Sequence, residues 1–342
     1  MYQAFYRLKD HPFRLTPDPA YVWFAAQHRE AFSGLVYSIC TRPGLAVLMG
    51  EAGTGKTTLL YTLTDLLERR NYVIARCNNP TLSREEFYDL LLTELGVECA
   101  SSLKSRQLRA LEEALLRYRE AGRSAVLIVD EAQRLPLELL EEIRLLLNLE
   151  TPREKLLQII MAGQPELGAV LGRPELRQLK QRISVICRLE PLSAEELREY
   201  LQHRLSRAGL PEQKLFPEEV IGLIYKYTQG IPRLVNCLCD ATLQTGFGLQ
   251  SSLVTAAIVE EAAGDLGLLD PDDGRAKEDL SSTDPPKVIP MLAVSREAQP
   301  SHALPQNSLN GNGMADARIP LEGYASRQKN LGFFGQLLDR WK

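Results

Sequence analysis

A glycine-rich loop that ends in a lysine and a threonine follows the apolar run at residues 44–49. The loop has the pattern G-x-x-x-x-G-K-T and comprises Gly50, Glu51, Ala52, Gly53, Thr54, Gly55, Lys56 and Thr57, with Thr58 directly after it. Glycines at these positions let backbone N–H groups turn inward around a phosphate, and a helix that begins near Lys56 directs its positive end at the same anion. We therefore predict a nucleoside triphosphate site in which Lys56 neutralises β/γ charge and the Thr57 hydroxyl ligates Mg²⁺.

Two carboxylates follow a second apolar run, at residues 125–129. Asp130 is predicted to hold Mg²⁺ through water, and Glu131 to activate the water that attacks the γ-phosphate. Phosphoryl transfer to water requires both a metal and a group that orients the nucleophile. Two acids at the tip of a strand are also typical of a solvated turn, but the phosphate loop favours the catalytic interpretation.

Composition indicates a globular protein of ordinary kind. The chain has 342 residues, of which 44% are hydrophobic and 25% charged, so two domains and a tail are expected. A net charge of −4 argues against coating nucleic acid through bulk charge and leaves a local basic patch open. The sequence has no apolar run of about 18 residues and no signal peptide, so we predict a cytoplasmic protein without a transmembrane segment.

Isolated cysteines and histidines give no sign of a further chemical site. The six cysteines are scattered without a C-x-x-C pair, so we interpret them as reduced structural residues. His28 precedes the first strand on a predicted helix and is interpreted as a packing or capping residue.

Alternating strand and helix patterns predict an α/β fold over residues 25–192. The predicted strands cover 45–49, 72–77, 125–130, 156–162 and 184–189. The predicted helices cover 27–42, 56–69, 83–95, 105–121, 136–149 and 174–182. Such alternation indicates a parallel sheet with helices on both faces and a ligand at the carboxyl ends of the strands.

Helical patterns replace the strands after Leu192. Ser193 and Glu196 form a predicted capping box for a helix that runs to about residue 208. Further helices at 217–228, 232–247 and 253–264 complete a small all-α domain over 193–266, which we call the lid. Residues 1–24 form an aromatic and proline-rich arm that is expected to pack on the body of the protein.

The composition changes again after the lid. Residues 267–329 are rich in Pro, Ser, Asp, Asn and Gly and are predicted to be a disordered linker. Within the terminal segment 330–342, one face of a would-be helix carries Leu331, Phe334, Leu338 and Trp341. This segment is interpreted either as a docking motif on a flexible tether or as an apolar chain terminus without a specific partner.

Several motifs in this order resemble those of the AAA+ ATPases, and more closely the ExeA or general secretion pathway protein A group. They lie at residues 1–5, 12–13, 16–19, 50–58, 130–133, 142–150 and 162–167. The resemblance covers residues 1–266 and implies a P-loop NTPase (AAA+) sheet followed by a helical lid. It also implies ATP rather than GTP, Mg²⁺, and hydrolysis to ADP and phosphate.

The resemblance implies three further site residues. Gln164 matches the sensor-1 position beside the γ-phosphate, and Arg233, in the G-x-P-R motif, matches sensor 2 in the lid. Arg182 matches the arginine finger, which acts on ATP bound by a neighbouring subunit and implies a homo-oligomer. Arg182 is alternatively a surface arginine, with Lys180 and Arg188 as competing fingers.

The resemblance also implies a role as a motor or switch in secretion, pilus or exopolysaccharide assembly. Members of the group typically continue into a transmembrane helix and a periplasmic peptidoglycan-binding region, and neither is apparent in this sequence. We therefore expect a cytoplasmic protein that docks on a membrane complex at the inner face of the membrane through residues 330–342. A DNA-linked AAA+ ATPase, such as a transposition helper or initiator-like protein, stays open, as does a nucleotide-binding scaffold without turnover.

Overall fold

The computed structural model describes residues 2–16, 18, 21–78, 80–210 and 215–269. The predicted terminal segment and the predicted linker, apart from residues 267–269, lie outside these residues. Among the described residues, no helix is both long enough and apolar enough to span a membrane.

Five parallel strands form a single sheet with the order β2-β3-β4-β1-β5. The strands are β1 Leu45–Gly50, β2 Val73–Cys77, β3 Ala125–Val129, β4 Leu157–Gly163 and β5 Ile183–Leu189. Because all strands run in one direction, the residues that follow β1, β3 and β4 meet at one edge of the sheet. This carboxyl edge carries the phosphate loop, the Asp130–Glu131 pair and Gln164.

Twelve α-helices are defined in the described residues. Eight lie within or before the sheet region: α1 Tyr2–Phe5, α2 Ala26–Thr41, α3 Lys56–Arg69, α4 Arg84–Glu94, α5 Lys104–Glu120, α6 Leu137–Leu146, α7 Glu166–Leu171 and α8 Arg177–Lys180. Four form the lid: α9 Ala194–Arg207, α10 Glu218–Thr228, α11 Pro232–Gly248 and α12 Ala256–Asp265.

Alternate residues of the central strands pack on opposite faces of the sheet, as the strand period of two requires. Val47 lies in the core beneath helices α4–α8, whereas Ala46 and Leu48 face α2 and α3. All six residues of β1 are buried, which is typical of a central parallel strand covered on both sides. The predicted α/β class, with a parallel sheet between two helical layers, is confirmed.

One local prediction needs correction, and one short helix was not predicted. The helix expected at 174–182 is instead a short 3-10 turn, Pro174–Leu176, followed by α8. Leu176 has φ −96° and ψ 10°, outside the α-helical region, so the two turns do not join. Helix α7 was not predicted, because six residues are too few to show a helical period.

The capping box predicted for the lid is present. The Ser193 hydroxyl accepts a hydrogen bond from the backbone N–H of Glu196, whose carboxylate accepts one from the N–H of Ser193. The same arrangement at Ser83 and Glu86 begins α4. Each box satisfies two N–H groups that a helix start leaves without partners.

Most of the arm packs on the lid, whereas Phe24 at its end packs against the sheet, α2 and α3. Tyr2, Tyr6 and Phe13 share one hydrophobic core with residues of α9–α12. The arm therefore joins the lid to α2, and the chain passes between lid and sheet region a second time at residues 190–193.

Arg204 of α9 fastens this arm, and only 7% of its surface is exposed. Its guanidinium donates hydrogen bonds to the backbone carbonyls of Pro12 and Arg14. It also lies over the rings of Tyr21 and Tyr200, 5.2 and 5.4 Å from their centroids. One buried cation therefore joins the arm to the lid through hydrogen bonds and cation–π contacts.

Replacement Arg204→Ala should lower the free energy of unfolding by about 2–4 kcal/mol, because it leaves buried carbonyls unpaired and opens a cavity. Arg207→Ala is the matched control, since Arg207 lies on the same helix, carries the same charge and is exposed. Denaturant unfolding of both variants measures the difference. Equal losses of stability in the two variants would contradict the anchoring role of Arg204.

Candidate functional site

The phosphate loop joins β1 to α3 at the carboxyl edge of the sheet. Gly53 and Gly55 have φ values of +86° and +99°. Residues other than glycine adopt such backbone angles only under strain. Gly55 is the N-cap of α3, so the first free N–H groups of that helix face the loop. The backbone thus has the left-handed turns that a phosphate cradle requires.

Lys56 is buried beside this loop, with 5% of its surface exposed. Its Nζ donates hydrogen bonds to the carbonyl oxygens of Gly50, at 2.7 Å, and Glu51, at 2.9 Å. Burial lowers the pKa of Lys56, while the negative charges of Glu131 and Asp130 act in the opposite direction. A lysine held in this way places an ammonium group between the loop and two carboxylates.

Asp130 and Thr57 form an oxygen-rich pair across the sheet edge. The Thr57 hydroxyl donates a hydrogen bond of 3.0 Å to Asp130 Oδ2. The other carboxylate oxygen of Asp130 accepts a bond of 2.9 Å from the N–H of Glu131. Hydroxyl and carboxylate oxygens at this separation fit the ligand preference of Mg²⁺, so these two residues could hold the ion directly or through water.

Glu131 lies in a network of two glutamines. Its Oε2 accepts hydrogen bonds from Gln133 Nε2, at 2.8 Å, and from Gln164 Nε2, at 3.4 Å. Gln133 Oε1 in turn accepts a bond of 3.1 Å from the N–H of Gln164. Gly163 makes this arrangement feasible, because a Cβ there would lie 2.5 Å from Gln133 Oε1. The network fixes the direction of the Glu131 carboxylate and ties it to the end of β4.

Gln133 was not among the predicted site residues. It lies on the 3-10 turn Ala132–Arg134, which brings its side chain back over Glu131. Its position three residues after Asp130, inside the motif used for the resemblance, is a signal that could have identified it.

The lid contacts the phosphate loop through the start of α11. The N–H of Arg233 donates a hydrogen bond of 3.2 Å to the carbonyl of Gly53. A Cβ on Gly53 would lie 2.8 Å from Arg233 Cβ and 3.0 Å from Ile231 Cγ2. The turn before α11 uses Gly230, whose φ is +72° and whose Cβ position is occupied by the carbonyl of Leu192. Arg233 is therefore held directly against the loop.

Arg182 lies at the opposite edge of the sheet. It precedes β5, whose first residue pairs with Leu45, whereas Gly50 pairs with Leu189 at the other end of the strand. Seven residues of strand separate the two edges by about 20 Å, farther than an arginine side chain reaches. Arg182 borders a cleft of about 360 Å³ together with Pro43, Leu147, Asn148, Glu150 and Lys155.

The two residues that compete with Arg182 as the finger, Lys180 and Arg188, lie at opposite edges of the sheet. Lys180 ends α8 near Arg182, whereas Arg188 pairs with Met49 near the carboxyl edge. The structure thus brings together Lys56, Thr57, Asp130, Glu131 and Gln164 with Arg233, and separates Arg182 from them.

A family comparison identifies one domain of the chain, and solved structures share its fold. Residues 40–171 match the family described as AAA domain. The fold is similar to the ORC2 protein of Aeropyrum pernix in its ADPNP-ADP complexes, with 16% identity, coverage of 75% of this chain and 72% of that one, and a TM-score of 0.57. It is also similar to Cdc6p from Pyrobaculum aerophilum, with 17% identity, coverage of 77% and 70%, and a TM-score of 0.58. Residues 40–171 therefore match an AAA domain, and the fold of the chain is that of the AAA+ P-loop NTPases.

Within this family, the resemblance inferred from the motifs is also confirmed. The chain is 36% identical over 264 residues to General secretion pathway protein A of Aeromonas hydrophila. The match covers 77% of this chain and 48% of that protein, so this chain spans about half the length of the relative.

The contact between lid and loop yields a direct prediction. Gly53→Ala should push α11 away and break the bond from the Arg233 N–H to the Gly53 carbonyl. Amide hydrogen exchange at Arg233 should then accelerate by about tenfold or more, because a lost hydrogen bond removes local protection.

Gly122→Ala controls for backbone strain in this comparison. Gly122 also has a positive φ, +70°, and a Cβ there would meet nothing within 4 Å. Equal exchange at Arg233 in the two variants would show that Gly53 does not hold the lid.

Proposed function

We propose that this protein is a Mg²⁺-dependent ATPase whose site forms at the carboxyl edge of the sheet. The observation that carries the proposal is the bond between Thr57 and Asp130, with Lys56 on one side and Glu131 on the other. These groups supply what hydrolysis of a triphosphate requires: oxygen ligands for a metal, a cation for the phosphates and a carboxylate for water.

Each residue has a distinct proposed role. The N–H groups of residues 50–58 and the Lys56 ammonium bind the phosphates. Thr57 and Asp130 would hold Mg²⁺, which when bound neutralises charge on the β- and γ-phosphate oxygens. Glu131 orients the attacking water and accepts its proton.

The two glutamines support the proton acceptor. Gln133 and Gln164 donate to the same Glu131 oxygen, which leaves the other carboxylate oxygen available to water. Gln164, as sensor 1, also contacts the γ-phosphate in this proposal.

The lid is proposed to respond to the nucleotide through Arg233. Its backbone already contacts the loop at Gly53, and its side chain, as sensor 2, would contact the phosphates. A change in phosphate charge on hydrolysis then alters the angle between lid and sheet.

Arg182 is proposed to act on a neighbouring subunit. Because it lies at the edge opposite its own phosphate loop, it can contribute to catalysis only if a second copy of the chain presents its loop to the cleft. The site is then completed by a homo-oligomer.

Similarity to General secretion pathway protein A supports a motor or switch in secretion, and pilus or exopolysaccharide assembly are related roles. We propose that the protein works in the cytoplasm, at the inner face of the membrane, and that residues 330–342 dock on the membrane complex.

Turnover per subunit should rise with protein concentration if the site is completed between subunits. Glu131→Gln and Arg182→Ala should each reduce turnover by about 10³-fold, since one removes the proton acceptor and the other the finger. Phosphate release from Mg·ATP, measured across a range of subunit concentrations, tests both expectations. Lys180→Ala and Arg188→Ala are the matched controls, and either one abolishing turnover in place of Arg182→Ala would reassign the finger.

Mixing the two inactive variants distinguishes a finger in trans from one in cis. An Arg182→Ala subunit retains its own Glu131, and a Glu131→Gln neighbour retains Arg182. Random assembly of an equal mixture should restore about a quarter of the wild-type turnover, because one interface in four combines the two intact halves. Activity no higher than that of the separate variants would exclude a trans finger at Arg182.

Loss of the glutamine network should slow ATP hydrolysis without weakening the binding of ATP. Gln133→Ala should lower kcat by about 10–100-fold, because Glu131 loses its shortest hydrogen bond and its fixed direction. The ATP dissociation constant should stay within about twofold, since Gln133 contacts the base and not the phosphate loop. Arg134→Ala, at the next and exposed position, is the control. A parallel loss of affinity in Gln133→Ala would contradict the proposed role.

A further inference from the structure

His28 is buried against the phosphate loop, although it belongs to none of the motifs. It lies on the first turn of α2, and 4% of its surface is exposed. Its Nε2 is 2.9 Å from the carbonyl oxygen of Thr54. A carbonyl oxygen only accepts hydrogen bonds, so Nε2 carries the hydrogen and donates it to Thr54.

The surroundings disfavour the charged form of this imidazole and hold its ring in place. Burial lowers the pKa of His28, with the bond to Thr54 acting in the opposite direction. The ring stacks on Phe24 with an interplanar angle of 3°. Within the described part of the chain, Nδ1 has no hydrogen-bond partner, so the bond to Thr54 is the polar contact that orients the ring.

Peptide geometry links this bond to the phosphate cradle. In a planar trans peptide, the C=O and the following N–H point in opposite directions. Because His28 holds the Thr54 carbonyl on the side of α2, planarity directs the N–H of Gly55 away from α2. Gly55 has a φ of +99°, so its backbone needs an external contact to select this orientation among those open to glycine.

The turn that carries His28 is itself fixed to the linker between sheet and lid. Gln27 Oε1 accepts a hydrogen bond of 2.7 Å from the N–H of Glu190. Gln27 Nε2 donates to the carbonyls of Glu190, at 3.0 Å, and Pro191, at 3.4 Å. Gln27 and His28, which are successive residues of α2, therefore fix the position of the linker relative to the phosphate loop.

We propose that His28 is a positioning residue that orients the Thr54–Gly55 peptide for phosphate binding. This inference rests on the proposed binding of ATP at the loop. His28 acts through the backbone and contacts neither the phosphates nor the reacting water. Its contribution is the hydrogen on Nε2, which presets the direction of one N–H in the cradle.

The test compares the ATP dissociation constants of wild type, His28→Gln, His28→Asn and His28→Ala by calorimetry. Glutamine can place an amide N–H near the position of Nε2, whereas the shorter asparagine reaches only as far as Nδ1. We expect His28→Gln to bind within about twofold of wild type, and His28→Asn and His28→Ala to bind about five- to tenfold more weakly, the range for one hydrogen bond.

The Gln and Asn variants form the matched pair, because both bury an amide in place of the ring. Their melting temperatures without nucleotide show whether either is merely less well folded. Equal affinities of these two variants, or wild-type affinity in all three, would overturn the positioning role. Wild-type protein that fails to bind ATP would instead overturn the proposed function, so the two failures are distinguishable.

Discussion

The structure depends on one constraint, which is that the phosphate loop must turn backbone N–H groups inward and therefore hold the matching carbonyl groups outward. Two carbonyls of the loop are held by residues distant in sequence. The Gly53 carbonyl accepts from the N–H of Arg233 in the lid, and the Thr54 carbonyl accepts from His28 in α2. The conformation of the loop thus depends on the packing of lid and sheet region together.

Charged groups also meet at this edge of the sheet. A parallel sheet places the carboxyl ends of β1, β3 and β4 side by side. The strand order therefore brings Lys56, Asp130 and Glu131 together. The linker at residues 190–193 connects the lid covalently to the sheet region, whereas the arm, which continues into α2, is held on the lid by non-covalent contacts that include those of Arg204.

The sequence predicted those features that depend on residues close together in the chain. The glycine spacing of the loop, the strand that ends at Asp130 and the capping box at Ser193 each depend on residues close together in the chain, and the structure places them as expected. The parallel sheet followed from alternation of strand and helix patterns. The roles of the individual site residues stay predictions.

Contacts between distant residues were not predictable in the same way. His28 meets Thr54, and Arg204 meets Pro12, through tertiary packing that leaves no periodic signal. Packing of the arm on the lid is decided by the same long-range apolar contacts. Helix α7 is too short to show a period, and the break at Leu176 depends on a single pair of backbone angles.

The central claim is that the phosphate loop binds ATP with Mg²⁺, and calorimetric titration of wild type and Lys56→Ala tests it most directly. We expect one ATP site per subunit in wild type. We also expect the affinity for ATP to fall by about 10²-fold or more in Lys56→Ala, because a buried ammonium beside the phosphates is removed. An absence of binding in wild type, or the same affinity in both proteins, would contradict it.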